Sequence, residues 1–184
     1  MSMQFGGGRG ARLRQWVLGL GLAVATAAHA SPTSPEPRKP IDPNRYLGRW
    51  YEIARIPNKL QENCQGATSD WTRGSSGQYN VIQTCRIGSP GGPTKTWKGS
   101  GHMIAPAKIR IGFFAGLVQK DYWIMDRSED YTWSIMGMAD PKYVWIMSRR
   151  PVLNPSQKAA LVAHAQSLGY DTARLVFDEQ PPAS

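Results

Sequence analysis

Tyr46-Leu47-Gly48-Arg49-Trp50-Tyr51-Glu52-Ile53-Ala54-Arg55 runs a Gly-x-Trp opening straight into an aromatic and β-branched segment. Gly48 permits a tight backbone approach where a turn feeds a strand, and Trp50 supplies the largest apolar plug available, with one N–H to satisfy. The closed end of a barrel needs such a plug. Ten residues alone also fit an ordinary strand with a core tryptophan, so the surrounding pattern decides.

Outward from this stretch the chain reads as short strands separated by Gly, Pro, Asp and Ser clusters every eight to twelve residues or so. Strands are predicted over 48–55, 64–72, 78–86, 94–103, 108–114, 122–126, 131–138 and 143–149, with Gly74-Ser75-Ser76-Gly77 turning the second into the third. Eight consecutive strands with hairpin-length joins predict an all-β, up-and-down antiparallel barrel, because closure removes the exposed edges. The period then changes. Asn154-Pro155-Ser156 starts a helix that stops at Gly169, and Leu161, Val162, Ala165 and Leu168 form its apolar stripe. The polar face is nearly uncharged, so this C-terminal α-helix is expected to pack outside the barrel rather than on a membrane. A short final strand, 173–177, follows.

Residues 1–30 read as an export signal, with Arg9, Arg12 and Arg14 ahead of the apolar run Trp16 to Ala28 and small residues before Ser31. The apolar run is too short to span a bilayer. Residues 31–43 carry five prolines and are expected as an extended, unpaired lead-in; the domain is expected over 44–178 and a tail over 179–184. The formal charge of +9 includes the three signal arginines, and the chain has no basic run of four or more. The pattern fits a solvated surface rather than a nucleic-acid footprint. Cys64 and Cys85 are the only cysteines; after export a disulfide is the default, worth about 3 kcal/mol in the chain-entropy model, and two thiols with no nearby histidine make a poor metal site.

Residues 44–177 together resemble the lipocalin family, on the side of its bacterial outer-membrane members and apolipoprotein D. The resemblance rests on Gly48 to Arg55, Ala107-Lys108-Ile109-Arg110-Ile111-Gly112-Phe113-Phe114, Tyr122-Trp123-Ile124-Met125-Asp126, and Tyr143-Val144-Trp145-Ile146-Met147-Ser148-Arg149-Arg150-Pro151, in that order and spacing. It implies that Arg149 covers Trp50 at the closed end, a structural pair with Gly48. Two departures stand out. Bacterial members are commonly anchored through an acylated cysteine at the cleavage site, whereas no cysteine precedes Cys64, so an unanchored protein in the periplasm, or a secreted one, is expected. The family's middle motif keeps only Asp126 in Met125-Asp126-Arg127-Ser128.

Strand alternation from Trp50 turns Glu52 and Ala54 inward, and outward Lys108 and Arg110 turn Ile109, Ile111 and Phe113 inward. The family's pattern adds Ala67, Ser69, Val81, Gln83, Trp123, Met125, Trp145 and Met147. Small residues Ala54, Ala67, Ser69, Gly99 and Gly101 leave room for a cavity, although side chains can also fill such a barrel. Glu52 could orient a ligand headgroup or satisfy a buried network. The loops 56–63 and 114–120 are expected to rim the mouth, where the apolar Phe114, Leu117 and Val118 suggest a lid, a dimer contact or a membrane-touching tip.

The reading is an exported carrier of a hydrophobic small molecule such as a fatty acid or lysophospholipid, with no cofactor, metal or nucleic acid, acting as a monomer or weak dimer. The alternatives are an enzyme on the same barrel, for which Glu52 is the sole clear reactive group, and a filled barrel used in protein interaction. No hydrolase elbow or zinc pattern occurs.

Overall fold

The computed structural model describes residues 33–181; the segment read as an export signal and the last three residues of the tail lie outside that range. Nine strands form one antiparallel sheet: β1 (Gly48–Arg55), β2 (Cys64–Arg73), β3 (Tyr79–Ile87), β4 (Thr94–Ala105), β5 (Lys108–Phe113), β6 (Val118–Arg127), β7 (Trp133–Gly137), β8 (Val144–Ser148) and β9 (Val176–Phe177). Each of β2 to β8 pairs with its sequence neighbour, and β1 pairs with both β8 and β2, which closes an eight-stranded barrel. β9 lies outside that ring, on β1 at Ala54 and Arg55. Helix α1 (Pro43–Tyr46) precedes β1, and α2 (Pro155–Ser167) is the main helix.

The lead-in differs from its expected unpaired state. Ser34 N–H donates to the Ala139 carbonyl, Arg38 N–H to Met125 and Ile41 N–H to Pro106. Prolines space these contacts without preventing them, because the residues between supply the donors.

At the closed end Trp50 is fully buried, stacks on Tyr46 with ring centroids 4.8 Å apart, and donates its indole N–H to the Tyr46 carbonyl at 2.9 Å. The Arg149 guanidinium sits 3.8 Å from the indole centroid. It also donates to the carbonyls of Arg49, Arg45, Leu47 and Tyr131. Gly48 has φ +94°, and a Cβ there would come within 3.3 Å of Arg149 Nη1, so both conformation and space favour glycine.

Two large apolar clusters and a small one at the disulfide make up the core. One runs through the barrel interior, packing its closed half with Trp50, Trp71, Val81, Ile109, Ile111 and Ile124 and reaching Phe113 and Met147 above them. The other large cluster lies between barrel and helix, where Leu161 and Ala165 of α2 and Leu168 at its C-cap meet Ile53, Met125, Ile135, Val144 and Ile146. The helix begins with a capping box, in which Asn154 accepts from Gln157 N–H and the Gln157 side chain accepts from Asn154 N–H. His164 on its far turn meets the buried Asp126 at 2.9 Å. Cys64 and Cys85 form a disulfide that ties the start of β2 to the end of β3, with Cα atoms 5.5 Å apart.

Candidate functional site

The open half of the barrel holds a cavity of about 140 Å³. Its walls alternate by strand: Glu52 from β1, Ser69 from β2, Gln83 and Cys85 from β3, Trp97 from β4, Phe113 from β5, Tyr122 from β6, Met136 from β7, and Trp145 and Met147 from β8. At the mouth stand Asn58, Leu60 and Gln61 from the β1–β2 loop, with Phe114, Val118 and Lys120 from the β5–β6 hairpin. The expected rim loops are the ones that border it, although strand β6 begins at Val118 and shortens the second of them to four residues.

Six of the residues predicted to line the cavity do so: Glu52, Ser69, Gln83, Phe113, Trp145 and Met147. Val81, Ile109 and Ile111 face inward but lie in the packed closed half below it. Ala67 packs beside the disulfide instead. Ala54, Trp123 and Met125 are on the other side of the wall, in the cluster under α2. A bulge explains Ala54, and strand register explains Trp123 and Met125. β1 pairs Glu52 with Met147 but Ala54 with Ile146, so the extra residue reverses the alternation and sends Ala54 outward. On β6, Trp123 pairs with Lys108 and Tyr122 with Ile109. Directly opposed residues share a face, so Tyr122 and Ile124 point in and Trp123 out, where Lys108 Nζ lies 3.6 Å from its ring centroid. Met125 follows by alternation to the helix side, and a bulge between Ile124 and Asp126 turns Asp126 to that same side, opposite Ile135.

The expected source of room is also different. A Cβ at Gly99 would meet Ile111 and Phe113 at 2.7 and 2.9 Å, and one at Gly101 would meet the Arg110 backbone. These glycines let β4 and β5 approach, and larger neighbours occupy the space they release. Trp97, Tyr122 and Met136 were not anticipated. Trp97 lies directly opposite Gln83, a cross-strand signal that register alone supplies.

The polar groups of the cavity form one connected set. Glu52 is buried; its carboxylate accepts from Arg55 Nη1 at 2.7 Å and from the Gln61 amide at 2.6 Å. Gln61 in turn accepts from the Trp145 indole N–H at 2.7 Å and from the Asn58 amide at 2.9 Å. Burial raises the Glu52 carboxyl above its ordinary value, against the pull of Arg55. The same Arg55 guanidinium lies 3.5 Å from Asp178, on the outer side of the wall. Beyond Tyr51 and Thr68, β1 and β2 no longer pair. Their free groups are taken by the C-terminal segment: Asp178 accepts from Ala67 N–H, and the Gln180 amide donates to the carbonyls of Glu52 and Ala67. Asp178 is pushed up to about 7 by burial and by the neighbouring Glu52.

Among the described residues no group of three His, Cys, Asp or Glu side chains is placed to hold a metal ion. The arrangement can take up an apolar body against aromatic and thioether walls, with a cation, Lys120, at the entrance.

Comparison with known proteins bears on this geometry. Residues 41–180 match the family model described as a lipocalin-like domain. The chain is 29% identical over 171 residues to the outer membrane lipoprotein Blc of Escherichia coli, covering 87% of this chain and 96% of that protein. It is 29% identical over 157 residues to apolipoprotein D of Mus musculus, covering 80% and 81%. Among solved structures, insecticyanin of the tobacco hornworm Manduca sexta superimposes with a TM-score of 0.67 at 15% identity, over 83% of this chain and 87% of that one.

Proposed function

The chain belongs to the lipocalin-like family, and from that premise we propose that it binds a single-chain amphipathic lipid, a fatty acid or lysophospholipid, in the open half of the barrel. The observation that carries this reading is the cavity itself: apolar, walled by Trp97, Phe113, Tyr122 and Trp145, with its mouth between the β1–β2 loop and the β5–β6 hairpin. Its volume is close to that of an engineered apolar cavity of about 150 Å³ that holds one benzene. A short stretch of acyl chain therefore fills it as it stands, and the flexible side chains of Met136 and Met147 at its floor can repack to admit more. Each methylene buried contributes about 0.8 kcal/mol.

The charge distribution supports a tail-in, head-out orientation. Glu52 is the one acid on the wall, and an anionic headgroup beside it would face a like charge in a low dielectric. Lys120 at the mouth offers the opposite charge. Carriage rather than catalysis fits the same facts, because Glu52 is engaged by Arg55 and Gln61 and no second reactive group stands beside it in the cavity. The apolar run and basic residues of 1–30 support action after export, in the periplasm or outside the cell.

The test is mass spectrometry of an organic extract from the purified protein, followed by titration of the delipidated protein with a fatty acid and with the matching neutral monoacylglycerol. A co-purified lipid and saturable binding are expected, with Lys120→Glu weakening the acid about tenfold and the neutral lipid little. Absence of both lipid and saturable binding would overturn the proposal.

A further inference from the structure

We propose that the open end of the barrel docks on a bilayer surface rich in anionic phospholipid. Two hairpin tips carry large apolar side chains into solvent there: Leu60 is 64% exposed, Phe114 61% and Leu117 87%, with Val118 exposed beside them. Leu117 is the informative member, because it does not line the cavity and so does not serve as a lid over it. Its tip is a fixed turn. Phe114 and Ala115 adopt left-handed φ angles of 53° and 55°, and Gly116 N–H donates to Phe113 and Leu117 N–H to Phe114. A preorganised apolar projection of this kind needs an apolar environment outside the molecule.

Charge selects which one. The loops and strand ends around the open end carry the exposed cations Lys59, Lys95, Lys120 and Lys142 against the exposed acids Glu62, Asp140 and Glu179. A second copy docking by a two-fold axis would set this lysine-rich rim against itself. A layer of lipid phosphates complements it while its acyl region receives Phe114 and Leu117. Docking there would place the cavity mouth at the lipid surface, so that a ligand passes between bilayer and barrel without crossing bulk water.

The probe is flotation of the protein with vesicles of phosphatidylglycerol and phosphatidylcholine, compared with vesicles of phosphatidylcholine alone. The expected result is salt-sensitive binding to the anionic vesicles, at least tenfold weaker to the neutral ones. Leu117→Asp and the pair Lys59→Glu/Lys142→Glu should each lose about tenfold in partitioning while keeping the melting temperature and the affinity for a soluble short-chain fatty acid. None of these three positions lines the cavity, so failure of docking and failure of ligand binding are read separately. Equal partitioning of parent and variants, no vesicle binding at all, or a dimer in sedimentation equilibrium that Leu117→Asp dissociates would overturn the proposal.

Discussion

Arg149 donates with one side chain to four carbonyls, those of Arg45, Leu47, Arg49 and Tyr131, and covers the Trp50 indole with the same planar group. A cation over an indole face is worth about 0.5 to 2 kcal/mol, and the released carbonyls add to the loss. Arg149→Ala is therefore expected to lower stability by about 2 kcal/mol in urea denaturation. Trp50→Ala, which empties a fully buried site, should cost about 3 to 5 kcal/mol. Both positions lie outside the cavity, so the dissociation constant of a ligand should change little where the variants fold. An equal stability of parent and Arg149→Ala would contradict this division of roles. Trp50 is legible in the sequence because a Gly-x-Trp stretch is a local signal, and Arg149 through the family resemblance that sets it over that tryptophan. Gln61 is not: its importance comes from loop geometry that brings it to Glu52, Trp145 and Asn58 together, and no spacing in the chain announces that.

The eight barrel strands lie where the hydrophobic pattern puts them, while the inward phase differs on two of them, through a bulge on β1 and through the register to β5 on β6. The pattern carries no sign of a bulge: a single extra residue between Glu52 and Ala54 reverses the inward face of β1 without altering composition. Trp123 shows the limit clearly: its outward Lys108 partner was already inferred, yet the β5–β6 register that links them is a tertiary fact. The C-terminal segment is the other element that pattern could not place. The strand expected over 173–177 narrows to Val176–Phe177 after a 3-10 turn at Thr172–Arg174, and Gln180 reads as tail, yet Asp178 and Gln180 close the seam where β1 and β2 part. Its chemistry gives a pH prediction. The Asp178 carboxyl is raised from 3.8 to about 7, so the folded state holds a proton that the unfolded chain releases. Stability linked to this group is complete below pH 4 or so, and is lost as pH rises through about 7. Glu52 is shifted in the same direction. The melting temperature of Asp178→Asn should accordingly depend less on pH between 4 and 7 than that of the parent; an identical slope in the two proteins would refute the linkage. Reduction of the disulfide between Cys64 and Cys85, which staples the far side of the same seam, should cost about 3 kcal/mol, read as a shift in the urea midpoint.

The whole molecule divides along the barrel axis. Trp71, Val81, Ile109 and Ile111 pack the closed half, and the cavity of about 140 Å³ lies above them, between the disulfide side and β8. Closure of the barrel follows from alternation and short joins, whereas the split between filled and hollow halves depends on how side chains of opposite strands meet, as when Ile111 and Phe113 occupy the room beside Gly99. The ligand proposal rests on that split, and the tryptophans make it measurable, since Trp97 and Trp145 line the cavity and Trp123 lies under the helix side of the wall. Titration with a brominated fatty acid, which quenches tryptophan only on contact, is the most direct test. Saturable quenching should persist in Trp123→Phe and disappear in Trp97→Phe/Trp145→Phe; quenching that survives the double substitution and is lost with Trp123 would put the lipid on the outer face and contradict a cavity-bound ligand.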